Sequence, residues 1–358
     1  MKRNLFLQLA ALLLTTLVVQ AQVTLPRTPS PAATVTQTIG ISTVSVNYSR
    51  PKVNGREVWG KLVPYGWNVD PFGLQNSGPW RAGANENTIL TLSHAAKIQG
   101  QLVPAGSYGL FFVINKDNSG EVVLSKEYQS WGSFFYDAKA DQMKAKIQLR
   151  DVPHTEALTY DFINLTKNSG ELVLNWEKKQ FPVKIEFAVD DLVMANAALE
   201  LKGQKGFTPN GRISAANYAL TNKVNQEQAI GWIDQVLVNN KTFNAMNIKA
   251  GLLKQTGKTA EADKVMVDAM AIATEAELNV YGYQLIAEGN QDKAIEVLAL
   301  VTQRYPKSAN AWDSLGEAYA LKGDKANAIK NFKKSLSLNP PENVKLNSEK
   351  FLRQLGAI

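Results

Sequence analysis

Hydrophobic and polar positions alternate with a period of two through residues 34–189 and change to a helical period beyond Asp190. Polar residues separate Val44, Val46 and Tyr48, and Leu158, Tyr160 and Phe162 repeat the arrangement. Leu172, Leu174 and Trp176 share the spacing, as do Val183, Ile185, Phe187 and Val189. Successive side chains of a strand point to opposite faces, so each run predicts a strand with one buried and one wet face. Pro104-Ala105-Gly106, Asn118-Ser119-Gly120 and Asn168-Ser169-Gly170 supply the turns between runs. Together they predict an antiparallel β-sandwich or jelly roll over residues 34–190. Inside it, only residues 137–146 read as helical.

Beyond residues 191–208, which predict a helix and a Gly203–Gly206 hinge, the chain reads as all-α from Pro209. Trp312, Leu315, Gly316, Tyr319, Gly323, Ala328, Phe332 and Pro340 follow one another in an order that resembles the tetratricopeptide repeat, a pair of antiparallel helices of about 34 residues. Tyr281, Gly282, Leu285, Gly289, Ala294, Leu298 and Pro306 each stand 34 positions before a counterpart. A looser copy runs through Ala250, Leu253, Gly257, Ala262, Met266 and Ala269, and a weaker one through Asn217, Leu220, Ala229, Ile233 and Val236. Large residues form one stripe of each first helix, while Gly316 and Ala328 let the two backbones approach. The array covers residues 209–341, and residues 342–358 predict the amphipathic helix that caps it.

Lys2 and Arg3 precede an apolar run from Leu5 to Val19, and Val19-Gln20-Ala21 has the small residues of a signal-peptidase site. Residues 1–21 therefore read as an export signal and Gln22 as the first mature residue, leading into a Pro-rich extended arm, residues 22–33. The chain has no cysteine. That excludes disulfides, a lipid-modified cysteine and cysteine-type zinc, and points to a soluble periplasmic or secreted product. The formal charge of +7 falls to +5 without Lys2 and Arg3, with 37 basic against 32 acidic residues. These charges are dispersed, so they form no nucleic-acid footprint.

The N-terminal half carries a second set of motifs: Tyr48-Ser49-Arg50-Pro51, Gly55-Arg56, Trp59-Gly60, Leu62-Val63-Pro64-Tyr65-Gly66, Trp80-Arg81-Ala82-Gly83-Ala84-Asn85-Glu86-Asn87-Thr88 and Pro104-Ala105-Gly106-Ser107-Tyr108. Over roughly Pro26 to Val189 this half resembles the exported bacterial family called domain of unknown function 2911. The resemblance implies an exported domain, several relatives of which carry helical repeats behind it. It implies no activity.

The loop from Trp80 to Thr88 is the first candidate site, since loops on rigid sandwiches are common places for binding groups. Arg81 offers a planar fork for a carboxylate or phosphate, Asn85 donates and accepts, Glu86 accepts, and Trp80 has a stacking face. Arg50, Lys52 and Arg56 flank the Val53-Asn54-Gly55 turn and would extend an anionic pocket. The competing expectation is structural: Arg81 and Glu86 pair or cap loop backbone, Trp80 lies in the core, and the cations are a solvated loop. Catalysis finds little support. His94 and His154 are far apart without metal-ligand spacing, and Ser93 and His94, as strand neighbours, should face opposite ways. No metal or cofactor is called for.

In the repeats, the positions between the packing stripe predict a partner groove. Asp313 and Glu317 line it in the last unit, Asn279 and Tyr283 in the unit before, then Asn247 and Gly251, then Tyr218. Its acidic end predicts an extended or helical protein segment with basic residues, unless the array's groove is filled by the protein's own chain. The whole reads as a non-enzymatic two-module binding protein, the sandwich for ligand or assembly contact and the repeats for a protein partner. The alternatives are an envelope polysaccharide or peptidoglycan hydrolase using paired carboxylates and a purely structural envelope component.

Overall fold

The computed structural model describes residues 29–69 and 77–358. The export segment, its cleavage point and most of the Pro-rich arm lie outside these residues. The chain divides into two compact units whose sequences meet at Val189 and Asp190. The first is all-β and the second all-α.

The strands among the described residues are β1 (Ala32–Ile39), β2 (Ser42–Ser49), β3 (Asn68–Val69), β4 (Ser77–Gly78), β5 (Thr88–Leu92), β6 (Ala96–Ile98), β7 (Gln101–Val103), β8 (Gly106–Ile114), β9 (Ser119–Ser125), β10 (Asp141–Gln148), β11 (Arg150–Ile163) and β12 (Ser169–Glu186). They make a six-stranded sheet, β1-β2-β5-β8-β9-β10, and a four-stranded sheet, β11-β12-β6-β7, with β3 and β4 as a small ribbon. Every pairing between these strands is antiparallel. Val44, Val46, Leu158, Tyr160, Leu172, Leu174 and Trp176 are buried, as their alternation requires. From Tyr108 to Ile114, β8 is buried on both faces. Phe111 and Val123 point to a second small core that Tyr136 and Trp67 cover, so alternation is lost there.

Three sequence expectations are corrected in this unit. Residues 137–146 are a short 3₁₀ turn followed by strand β10, not a helix. Met143 and Ile147 are its buried residues, and their spacing of four fits a helix face as well as a strand. The two runs at Leu172 and Val183 belong to one 18-residue strand, β12. Pro153 before His154 suggests a turn from the sequence, yet His154 lies within β11, 3.2 Å from Glu156.

The helical unit contains α1 (Val189–Glu200), α2 (Pro209–Asn222), α3 (Gln226–Asn239), α4 (Phe243–Gln255), α5 (Thr259–Ile272), α6 (Glu275–Ala287), α7 (Gln291–Arg304), α8 (Ala309–Lys322), α9 (Lys325–Leu336) and α10 (Glu342–Gln354). Pairs α2/α3, α4/α5, α6/α7 and α8/α9 stack in order, and α10 ends the array. Thr242, Thr274, Ser308 and Asp324 cap helix N-termini through their side-chain oxygens, with a full capping box at Thr274 and Glu277. Gly257, Gly289 and Gly323 turn the chain inside successive pairs with φ of 78°, 79° and 86°, where a side chain would be strained. Gly316 faces the Phe332 ring, and a Cβ there would come within 2.9 Å of it. On its other side Phe332 stacks on Phe351 of α10, with centroids 5.1 Å apart and planes at 13°. One aromatic ring thus joins α8, α9 and the cap.

Candidate functional site

Trp80 exchanges backbone hydrogen bonds with Phe112, both at 2.9 Å, which ties the start of the loop to the six-stranded sheet. Its ring stacks on Trp176 of β12 at 5.7 Å and 17°. The chain then bends through left-handed backbone at Ala82 and Asn85. This bend returns the Asn85 carbonyl to Arg81, whose Nη1–H donates to it. Arg81 Nε and Nη2 make no hydrogen bond among the described residues. The guanidinium lies against Gly132, where a Cβ would run into it. Burial lowers the Arg81 pKa from the ordinary arginine value, and the group stays charged.

Trp80, Arg81 and Arg56 line one hollow of about 310 Å³, together with Pro51, Leu62 and Trp176. A second hollow of about 200 Å³ shares Leu62, Trp80 and Arg81 with it. Arg56 stands beside the Asn54-Gly55 turn and donates Nε–H to Val53 O at 3.0 Å and Nη2–H to Lys52 O. Arg50 lies apart, donating to Leu158 O at 3.0 Å and Thr159 Oγ1 at 2.7 Å. Asn85 reaches Ser30 O at 3.4 Å, and Glu86 is exposed; neither lines these hollows. Sequence reasoning missed Trp176, which reads only as a core strand residue. No Asp or Glu is among the described residues lining either hollow. Neither therefore presents the two carboxylates of glycoside hydrolysis.

Ser93 and His94 do meet, Oγ to Nδ1 at 3.0 Å, contrary to the opposite-face expectation. Strand β5 ends at Leu92, so the pleat no longer governs these two residues. Ser93 Oγ also accepts from Thr43 N–H at 2.8 Å, which makes the pair a strand-end lock. Among the described residues, no three His, Asp or Glu side chains are grouped to hold a metal ion, and no helix is long and apolar enough to cross a membrane.

The groove residues predicted in the repeats divide into two groups. At the C-terminal end, polar side chains link consecutive first helices. Tyr283 donates to Glu317 at 3.0 Å, and Asn347 of α10 donates to Asp313 at 2.8 Å and to Glu317 at 3.4 Å. Ser348 also donates to Asp313, which is buried. The acidic end is therefore closed by the protein's own cap helix, so Asp313 offers no open surface. Asn279 is half-buried with an Oδ1 that has no partner among the described residues. Tyr218 faces α1, donating to Asp190 at 2.6 Å, and burial and that carboxylate push its pKa up to about 12.

Asn247 alone of the predicted set lines the open groove, about 610 Å³, that crosses α2, α4 and α6. Its other polar side chains are Asn217, Thr221, Asn244, Glu277 and Gln284. Phe243, Val280 and Tyr281 provide apolar wall. Phe243 and Tyr281 meet edge-on at 5.8 Å between α4 and α6. Helices α5 and α6 approach less closely than α3 and α4 or α7 and α8, so the array opens at this joint. The spacing Asn244, Asn247 and Gly251 on one helix face was the available signal for it.

Burial pushes the Asp313 pKa up from the ordinary aspartate value of 3.8, against the lowering effect of Ser348 and Asn347. A raised folded-state pKa means that the native carboxyl holds its proton more tightly than the unfolded one. This group's contribution to stability therefore falls as pH rises from the ordinary value through the folded one. Asp313→Asn removes the titration. Its melting temperature relative to wild type is expected to be more favourable at pH 7 than at pH 4, in matched thermal melts followed by helical circular dichroism. A relative melting temperature that becomes less favourable toward pH 7 contradicts this.

Residues 30–185 match the family described as Protein of unknown function (DUF2911), and residues 309–342 match the tetratricopeptide repeat. The chain is similar to cellulose synthase operon protein C of Escherichia coli (strain K12), 41% identical over 59 residues, which are 16% of this chain and 5% of that protein. It is also similar to superkiller complex protein 3 of Homo sapiens, 37% identical over 59 residues, 16% of this chain and 4% of that protein. The chain thus spans a small part of these relatives. Among solved structures it is similar to MamA, at 21% identity and a TM-score of 0.29, over 42% of this chain and 89% of that one. It is similar too to YrrB, described as a TPR protein with an unusual peptide-binding site, at 18% identity and a TM-score of 0.28, over 45% of this chain and 84% of that one.

Proposed function

We propose, for a chain that carries a DUF2911 domain followed by tetratricopeptide repeats, that it is an exported, non-enzymatic two-module binding protein. The repeats hold an extended segment of a partner protein, and the sandwich provides a ligand or assembly contact. The export part of this reading is supported by Lys2, Arg3, the apolar run and the small residues Val19 and Ala21. The absence of cysteine is compatible with a periplasmic or secreted location.

The observation that carries the partner reading is the row of neutral amides on first helices. Asn217, Asn244, Asn247 and Gln284 line one groove beside Phe243, Val280 and Tyr281. An amide side chain donates and accepts at once, which suits an extended backbone with one donor and one acceptor per residue. The apolar wall receives alternate side chains. Glu277 is engaged by Thr274, at 2.9 Å to its N–H and 2.8 Å to its hydroxyl. With Asp313 closed off, the neutral amides outnumber the one carboxylate, Glu277, among the described residues that line the groove.

The test compares wild type with Asn244→Leu/Asn247→Leu in capture from envelope extract, partners being identified by mass spectrometry. Loss of two amides at about 0.5–1.5 kcal/mol each should weaken capture about tenfold or more. The melting temperature should stay close to wild type, since neither side chain is fully buried. Unchanged capture by the folded double variant would falsify the groove assignment.

A further inference from the structure

The hollow between Arg56 and Arg81 has a one-sided chemistry. Arg81 is pinned between Gly132 and the Asn85 carbonyl, with Nε and Nη2 unspent among the described residues. Arg56 is held by Val53 and Lys52 carbonyls, with Nη1 unspent in the same sense. Trp176 lines the hollow at 1% exposure, and its indole N–H is buried without an acceptor among the described residues. The rest of the wall includes Pro51, Leu62, Val63 and Trp80, with the Ser30 hydroxyl as the only side-chain acceptor among the described residues. Two guanidinium groups over an apolar wall are donors in want of a charged acceptor.

We infer that this hollow binds a small organic anion, a carboxylate or phosphate group carried on an apolar body. The oxyanion meets the Arg81 fork, with Arg56 at the rim, while the apolar body rests on Leu62 and Trp80. Guanidinium forks match the paired oxygens of carboxylate and phosphate, so both head groups fit. The volume of about 310 Å³ lies at the small end of ligand sites, which run about 300–1,000 Å³. A carboxylate in the wall would repel such a ligand, and the described residues that line it include none. This inference rests on the reading of the sandwich as a ligand module and gives that ligand its chemical class.

The test uses the full chain with ¹⁵N-labelled tryptophan, the Trp176 indole signal being assigned from the spectrum of Trp176→Phe. Four probes are titrated: phenyl phosphate, benzoate, inorganic phosphate and benzyl alcohol. Phenyl phosphate or benzoate should move the Trp176 indole signal and bind at least about tenfold more tightly than inorganic phosphate or benzyl alcohol. Which of the two binds better identifies the head group. Arg81→Gln should weaken that binding by about tenfold or more, as loss of a charge-assisted bond requires. If Arg81→Gln does not fold, Arg56→Gln, an exposed position, carries the test with a smaller loss in the same direction. Asn244→Leu/Asn247→Leu should bind the probe as wild type does, so failure here is separate from failure of the repeat groove. The inference is overturned if neither ring-bearing anion moves the Trp176 signal up to about 10 mM, a binding free energy weaker than about 3 kcal/mol. It is also overturned if inorganic phosphate binds as tightly as phenyl phosphate, or if folded arginine variants bind like wild type.

Discussion

Phe332→Ala is expected to destabilise the helical unit by about 3–5 kcal/mol, the range for deleting a fully buried aromatic side chain. Phe332 is completely buried. Its ring covers Gly316 on α8 and stacks on Phe351 of α10, so its removal opens a cavity that three helices share. Gly316 has no side chain with which to fill it, and the stack that holds the cap helix is lost at the same time. Loosening α10 then frees Asn347 and Ser348 from Asp313 and exposes the carboxylate. Chemical denaturation followed by circular dichroism at helical wavelengths should show a lower midpoint. Five of the seven tryptophans lie in the β unit, so a fluorescence transition dominated by that unit should stay in place. An unchanged helical midpoint refutes the packing role assigned to Phe332.

Gly132→Ala is expected to cost the β unit about 2–5 kcal/mol and to remove anion binding with it. Gly132 has φ of 61°, where an L-residue costs about 1–2 kcal/mol. Its new Cβ would also meet the Arg81 guanidinium, and an overpacked contact of this kind adds about 1–3 kcal/mol. Arg81 must swing away, which breaks its hold on the Asn85 carbonyl and takes the fork out of the hollow. Denaturation followed by tryptophan fluorescence should show the lower midpoint, and titration with phenyl phosphate should show the lost affinity. A variant with wild-type stability places no demand on Gly132 and contradicts the pinned geometry. A destabilised variant with full affinity separates the backbone strain from the site.

The alternation at Val44, Val46 and Tyr48 was legible because burial on one face imposes a strict period of two on a half-exposed strand. The repeat units were legible for a similar reason. Gly282 and Gly316 receive the Leu298 and Phe332 side chains of the second helix, Ala294 and Ala328 are buried, and each pair repeats the same short-range contact. The capping signals at Thr274 and Ser308 are equally local. Residues 137–146 were misread because Met143 and Ile147 stand four apart among lysines, a spacing common to both periods.

What the sequence by itself determined, then, is the order of the two architectures, the helix-pair repeat and the loop in which Arg81 stands, because these depend on neighbours within a turn or a strand. Tertiary structure decided which side chains face an open surface. Arg56 and Arg81 share a hollow because their loops converge on Trp176, a residue of a distant strand. Asp313 and Glu317 lost their place in a groove because α10 brought Asn347 and Ser348 over them. The open groove moved to α2, α4 and α6, where Phe243 and Tyr281 stand between first helices and the next pair stacks less closely. Helical periodicity distinguishes the faces of one helix, but the spacing between neighbouring helices follows from side chains that meet only after the chain has folded.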